Sequence, residues 1–126
     1  MSPGKILVVD DDVNTVSALM LLLELDGYRV VGSTTAEEAL RHIDSESFDL
    51  VITDLALDGA HGSEVVQAAG AHPDTRVLVV SSSAGTPSAA RAMRLGAHRV
   101  FSKPVDFGEL EAEVGRLLGT AGAPAT

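Results

Sequence analysis

The sequence predicts an α/β fold in which a buried parallel sheet carries helices on both faces. Three observations predict it. Short runs rich in Val, Ile and Leu recur at residues 6–9, 28–31, 50–52, 77–80 and 100–101. These runs are largely continuous rather than alternating, as expected of strands buried on both faces. Segments with helical spacing and recognisable ends separate them, so the chain reads as a βα unit repeated five times.

Each intervening segment has its own warrant. Residues 13–26 place Val16, Leu19, Leu22 and Leu23 on one helical face and stop at Gly27, a C-terminal cap. Asp12 precedes that segment as its expected N-cap. Thr34 and Thr35, followed by Glu37 and Glu38, give two overlapping capping boxes for a second helix reaching about Ile43. The third helix, residues 62–69, is the least patterned. Thr86 and Pro87 read as N-cap and first helical position of a fourth, which Gly96 closes. The last, residues 106–118, aligns Leu110, Val114, Leu117 and Leu118. One domain is therefore expected over residues 1–118, followed by a linker or frayed tail, GTAGAPAT, at residues 119–126.

Composition narrows the function. With 126 residues, 45% of them hydrophobic, the chain suits one domain with one substantial core. The apolar run at residues 18–23 is cut off by Glu24 and Asp26, far short of the roughly 20 residues of a membrane span. Residues 6–9 are too short for a signal-peptide core and run into carboxylates, so a cytoplasmic protein is expected. Cysteine is absent, which excludes disulfides and thiolate metal sites. The net charge of −9, from 9 Lys plus Arg against 18 Asp plus Glu, comes with no dense basic block, so direct nucleic-acid binding is not expected. His42, His61, His72 and His98 lack metal-ligand spacing and are expected on the surface.

The polar residues that end the strands carry the chemistry, because ligands of open α/β sheets bind outside the carboxyl ends of the strands. The first strand ends in Asp10, Asp11 and Asp12, the third in Asp54, the fourth in Ser81 and Ser82, and the fifth in Ser102, Lys103 and Pro104. Singly, such residues are usually helix caps, loop starts or solvated surface groups. Together they are the donor set of an oxygen-ligand Mg²⁺ site beside a phosphoryl group. Adjacent carboxylates raise one another's pKa unless a cation or proton neutralises them, a role open to Mg²⁺ and Lys103. A carboxylate so placed can attack phosphorus and form an acyl phosphate. Asp54 is the best-placed nucleophile, between the acidic cluster and the strands that bring the hydroxyl and the ammonium.

The segments ILVVDDD, FDLVITDLAL, Gly62, VLVVSS, LGA and FSKP, at this spacing, make the chain resemble the receiver domain of bacterial two-component response regulators over nearly its whole length. The resemblance implies a doubly wound, flavodoxin-like three-layer sandwich with a five-stranded parallel sheet of order 2-1-3-4-5. It implies that Asp54 accepts a phosphoryl group from a sensor histidine kinase or phosphotransfer protein. Mg²⁺ would be held by Asp11 directly, by Asp10 directly or through water, by Asp54 and by the backbone carbonyl of Ala56. Ser81 would hydrogen-bond the phosphoryl group, and Lys103 would pair with Asp54 before transfer and with the phosphoryl group afterwards. A cis peptide is implied between Lys103 and Pro104, against a base rate of about 5–6% for X-Pro bonds. Phosphorylation would repack the face of the fourth helix, fifth strand and fifth helix, which a downstream effector or a C-terminal output domain reads. Such a protein is a switch that catalyses only its own phosphorylation and dephosphorylation.

Several positions depart from the family pattern. Val100 stands where the family usually has an aromatic switch residue, Asp58 where it has Pro, and Ser82 where it prefers Ala. Ala56 and Ser83 occupy positions that tune acyl-phosphate lifetime. His98 and Arg99 replace two acidic residues common in the subfamily that dimerises through its fourth and fifth helices, so that dimer is not expected. Two alternatives stay open. One is a Mg²⁺-dependent phosphatase with an aspartyl-phosphate intermediate, suggested by DDDVNT but weakened by Asn14 and the lack of a cap segment. The other is a degenerate receiver that serves only as an interaction module, which Val100 favours and the retained Asp10, Asp11, Asp54, Ser81 and Lys103 oppose.

Overall fold

The computed structural model describes residues 4–57, 62–82 and 87–118. Strands and helices alternate throughout: β1 (Lys5–Val9), α1 (Val13–Leu25), β2 (Arg29–Ser33), α2 (Ala36–Ser45), β3 (Leu50–Asp54), α3 (Gly62–Gly70), β4 (Arg76–Ser81), α4 (Pro87–Arg94), β5 (Arg99–Ser102) and α5 (Phe107–Leu118). The strands form one sheet of order β2-β1-β3-β4-β5 with every pair parallel, which is the expected doubly wound topology. Because all strands run the same way, their carboxyl ends share one edge.

Alternation of side chains across the sheet divides the core in two. Leu7, Val9, Val51, Val77 and Val79 face α2, α3 and α4 with Ala39, Val66 and Ala92. Ile6, Val8, Ile52, Leu78 and Val80 face α1 and α5 with Leu19, Leu23, Leu110 and Val114. β3 is buried at all five positions, whereas edge strands β2 and β5 are only partly covered. Burial on both faces thus describes the inner strands and not the edges.

The helix ends follow local chemistry. The Asp12 carboxylate accepts the Asn14 N–H at 2.9 Å, and Gly27 (φ +98°) turns the chain after α1. Leu22 is only half-buried, and the buried stripe of α1 is Val16, Leu19 and Leu23. At α2 the N-cap is Thr35, from the second of the two boxes: its hydroxyl accepts the Glu38 N–H at 3.1 Å, while Glu38 Oε1 reaches one residue further back and accepts the Thr34 N–H at 3.3 Å. α2 runs on to Ser45, past Ile43. Pro87 opens α4, and Asp106 accepts the Glu109 N–H at 3.0 Å at the head of α5. Thr86, Asp58, His61, Ser83 and the tail at residues 119–126 lie outside the described residues.

The histidines are not all idle surface groups. His98 is exposed, yet its Nδ1 accepts the Val77 N–H at 3.2 Å while its own backbone N–H donates to the Val77 carbonyl at 2.7 Å. A free backbone donor at the start of β4 needs a partner, and the residue just before β5 supplies one. His42 is half-buried and pairs with Glu46 at 2.8 Å. Among the described residues, no helix is long and apolar enough to cross a membrane.

Candidate functional site

Asp10 and Asp54 are built alike. Asp54 is the last residue of β3 and Asp10 directly follows β1; each is nearly fully buried (4% and 3% exposed) and uses one carboxylate oxygen to hold the chain that leaves the strand. Asp10 Oδ1 accepts the Asp12 N–H at 2.9 Å, and Asp54 Oδ1 accepts the Ala56 N–H at 3.0 Å. These turns, in which a carboxylate accepts an N–H two residues on, set both side chains at the sheet edge. The remaining oxygens converge on one cation: Lys103 Nζ lies 2.7 Å from Asp54 Oδ2 and 3.1 Å from Asp10 Oδ2.

Lys103 is delivered by the edge strand. Its backbone N–H donates to the Ser81 carbonyl at 3.1 Å, so the β4–β5 pairing continues one residue beyond Ser102, and the Lys103–Pro104 peptide is cis. Burial alone would lower the pKa of the ammonium, but hydrogen bonds and charge attraction from Asp54 and Asp10 outweigh it and raise the pKa above the usual lysine value. Lys103 is therefore a fixed cation at neutral pH.

Asp11 is exposed and completes the cluster, with one oxygen from each of Asp10, Asp11 and Asp54 within 4.8 Å of the others. Three carboxylates against one ammonium leave an excess of two negative charges at a largely buried place. An all-oxygen donor set with that excess charge suits a hard divalent cation such as Mg²⁺.

The other expected residues fall around this centre. Ser81 is buried (1% exposed) at the end of β4, next to Val80, the register partner of Asp54. Ala56 is exposed two residues past Asp54, and its N–H is the one that holds the Asp54 carboxylate. Val100 is half-buried on β5 opposite Val79 and packs on the α2–α4 side of the sheet. No aromatic ring stands at that position; the neighbouring Phe101 is buried on the opposite side, with the Arg99 guanidinium 4.3 Å from its ring centroid.

Some contacts of these residues were not read from the sequence. Asp10 shares Lys103 with Asp54, a contact spanning 93 residues that no local pattern announces. The Thr15 hydroxyl donates to Asp12 Oδ2 at 3.2 Å, a spacing of three that a search for capping pairs would have found. Gly62 is required sterically, because a Cβ there would stand 2.0 Å from the Asp54 carbonyl oxygen. Beside the carboxylates, a cleft of about 510 Å³ opens between α1 and the start of α5, with Leu19, Val105 and Phe107 in its apolar wall.

The family model for the response regulator receiver domain matches residues 6–115. The chain belongs to this family. The receiver domain is 33% identical over 125 residues to the Escherichia coli transcriptional regulatory protein GlrR, a match covering 98% of this chain and 28% of GlrR. It thus spans about a quarter of that relative's length. Its structure resembles the CheY-like receiver domain protein of Methanospirillum hungatei, with a TM-score of 0.87 and 29% identity over 91% of this chain and 93% of that one. It also resembles the BeF3-activated receiver domain of DrrB from Thermotoga maritima, with a TM-score of 0.85 and 30% identity over 95% of this chain and 100% of that one.

Proposed function

We propose that this receiver domain is a phosphorylation-controlled switch, in which Asp54 takes a phosphoryl group from a phosphohistidine on a sensor histidine kinase or phosphotransfer protein. The observation that carries the reading is the shared cation: Lys103 Nζ bridges Oδ2 of Asp54 and Asp10 at the carboxyl edge of the parallel sheet.

In this reading an Asp54 oxygen attacks phosphorus, an O–P bond forms, the P–N bond to the histidine breaks, and the departing imidazole takes a proton from solvent. The hydrogen bond from the Ala56 N–H holds the carboxylate in place for attack. Lys103 neutralises charge on the carboxylate beforehand and moves its donors to the phosphoryl oxygens afterwards. Ser81 donates its hydroxyl to a phosphoryl oxygen. Asp10, Asp11, Asp54 and the Ala56 carbonyl would hold Mg²⁺, which supplies positive charge to the transferring group. Pulling Ser81 and Lys103 toward the phosphoryl group shifts the ends of β4 and β5, and the α4–β5–α5 face changes with them. With Val100 at the usual aromatic position, that change proceeds without a ring rotation on β5. The acceptance reaction is stoichiometric, so the protein acts as a switch rather than a turnover enzyme, in the cytoplasm. Its output passes to a separate effector or to an output domain joined through residues 119–126, with residues 1–118 as the receiver unit.

The test is incubation with acetyl phosphate and Mg²⁺ followed by intact-mass measurement. One phosphoryl group per chain, absent in Asp54→Asn and absent when EDTA replaces Mg²⁺, is expected. Labelling that persists in Asp54→Asn, or repeated turnover of a phosphomonoester, would overturn the reading.

A further inference from the structure

Protein interiors pack with few voids, yet the α1–α5 side of the sheet leaves a cleft of about 510 Å³ beside Asp54. Its floor is Val8, Ile52 and Val80, and its walls are Leu19 from α1 and Val105 and Phe107 at the head of α5. The floor residues are at most 4% exposed, while Phe107 is 40% exposed. The cleft is therefore deep and narrow. What reaches its floor is a single ring or alkyl chain, not a folded segment.

The charged groups of the lining are gathered at the carboxyl edge of the sheet: Asp10, Asp12, Asp54 and Lys103. Lys103 is shared between Asp54 at 2.7 Å and Asp10 at 3.1 Å, so its charge is already answered within the chain. Asp12 accepts the Asn14 N–H and the Thr15 hydroxyl, but it forms no ion pair among the described residues. Three carboxylates against one ammonium leave this end of the cleft negative, and the N-terminus of α1 offsets only part of one charge.

A bland account makes this an ordinary surface groove. Small-molecule sites, however, combine a volume of this size, a mostly apolar lining and a few charged groups that converge at one place, and the cleft has all three. The apolar floor selects the body of a ligand. The charge at the rim selects its head, which is cationic and carries hydrogen-bond donors for carboxylate oxygens.

We propose that the cleft binds a small amphiphilic organic cation, with an aryl or alkyl body between Leu19, Val105 and Phe107 and an ammonium head among Asp10, Asp12 and Asp54. A cation held there repels a divalent ion at the same carboxylates, so the ligand and Mg²⁺ weaken each other's binding. Occupancy of the cleft thereby slows phosphorylation of Asp54. The site stands on the cleft and its charge; its effect on phosphorylation rests on the reading of Asp54 as the acceptor.

The probes are phenylbutylammonium, phenylbutanoate with the same body and the opposite head, and butylammonium with the same head and no ring. Each is titrated into isotope-labelled protein in EDTA, with amide NMR shifts as the readout. Phenylbutylammonium is expected to shift the amides of Leu19, Val105 and Phe107 and to bind about tenfold more tightly than either of the others. Replacing EDTA by Mg²⁺ should weaken it. Val105→Trp, which fills the cleft, should abolish binding; if that variant does not fold, Phe107→Ala, an exposed change, should weaken binding about fivefold. Asp12→Asn should lower the preference for the ammonium about threefold, and Asp44→Asn, which removes the same charge from an exposed position on α2, should leave it unchanged. Equal binding of phenylbutylammonium and phenylbutanoate, shifts that avoid the cleft, or an equal loss in Asp44→Asn would overturn the proposal. Labelling of Asp54 by acetyl phosphate in a protein that binds none of the probes defeats the ligand site alone. Phenylbutylammonium binding to a protein that acetyl phosphate never labels supports the site and counts against the acceptor reading.

Discussion

Lys103 Nζ lies 2.7 Å from Asp54 Oδ2, and that single ammonium also serves Asp10, so two nearly buried carboxylates depend on one cation. Removing the cation leaves both unpaired. Lys103→Met should destabilise metal-free protein by about 2–3 kcal/mol, the low end for a broken buried pair because the lysine side chain is 29% exposed. Urea denaturation in EDTA and in Mg²⁺ checks this: the loss should shrink when Mg²⁺ is present, and an identical loss in both buffers would contradict the arrangement.

Mg²⁺ itself should stabilise the folded state. A ligand at about 100 times its Kd contributes about 2.7 kcal/mol when it binds only the native form. Thermal melts should therefore rise with Mg²⁺ for the unaltered protein and stay flat for Asp11→Ala, whose carboxylate completes the cluster.

Asp12 is the N-cap of α1. Its carboxylate accepts the Asn14 N–H at 2.9 Å and the Thr15 hydroxyl at 3.2 Å. Asp12→Ala should cost about 1 kcal/mol and Asp12→Asn much less, because asparagine also caps well. Both variants should be phosphorylated with the same Mg²⁺ dependence as the unaltered protein; a shift in Mg²⁺ midpoint would place Asp12 among the ligands instead.

Gly62 packs directly against the backbone of Asp54 and Leu55. Its N–H donates to the Leu55 carbonyl at 3.0 Å, and a Cβ would meet the Asp54 oxygen at 2.0 Å and the Leu55 Cα at 2.5 Å. Backbone cannot yield as a flexible side chain can. Gly62→Ala should cost about 2 kcal/mol or more and slow phosphorylation of Asp54, measured by chemical denaturation and acetyl phosphate kinetics. Unchanged stability would mean that the Asp54–Leu55 backbone yields to the added methyl group.

Glu113 gives the fold an acid-sensitive contact. It is buried on α5 and held by Arg116 first and Arg99 second, which keep its carboxyl below the usual range. A depressed carboxylate pKa contributes stability that is complete above the ordinary glutamate value of about 4.3 and is lost as pH falls through the folded value. Glu113→Gln should be about 1 kcal/mol less stable at neutral pH. That difference should vanish in acid; a gap that persists below pH 3 would point to packing rather than charge.

Local patterns carried most of the architecture. The βα alternation, the Asp12 cap, the turn at Gly27 and the start of α4 at Pro87 depend on residues within one or two turns of each other, so the sequence alone determined them. It also determined that Asp54, Ser81 and Lys103 end strands, and hence that a parallel sheet brings them to one edge. Neither spacing nor composition could pair Lys103 with Asp10 across 93 residues, press Gly62 against the Asp54 carbonyl, or set the His98 ring to accept the Val77 N–H. Those contacts were decided by the tertiary structure. Strand order and register choose which distant side chains meet, and the burial that follows makes each unpaired charge or backbone donor costly enough to demand a partner.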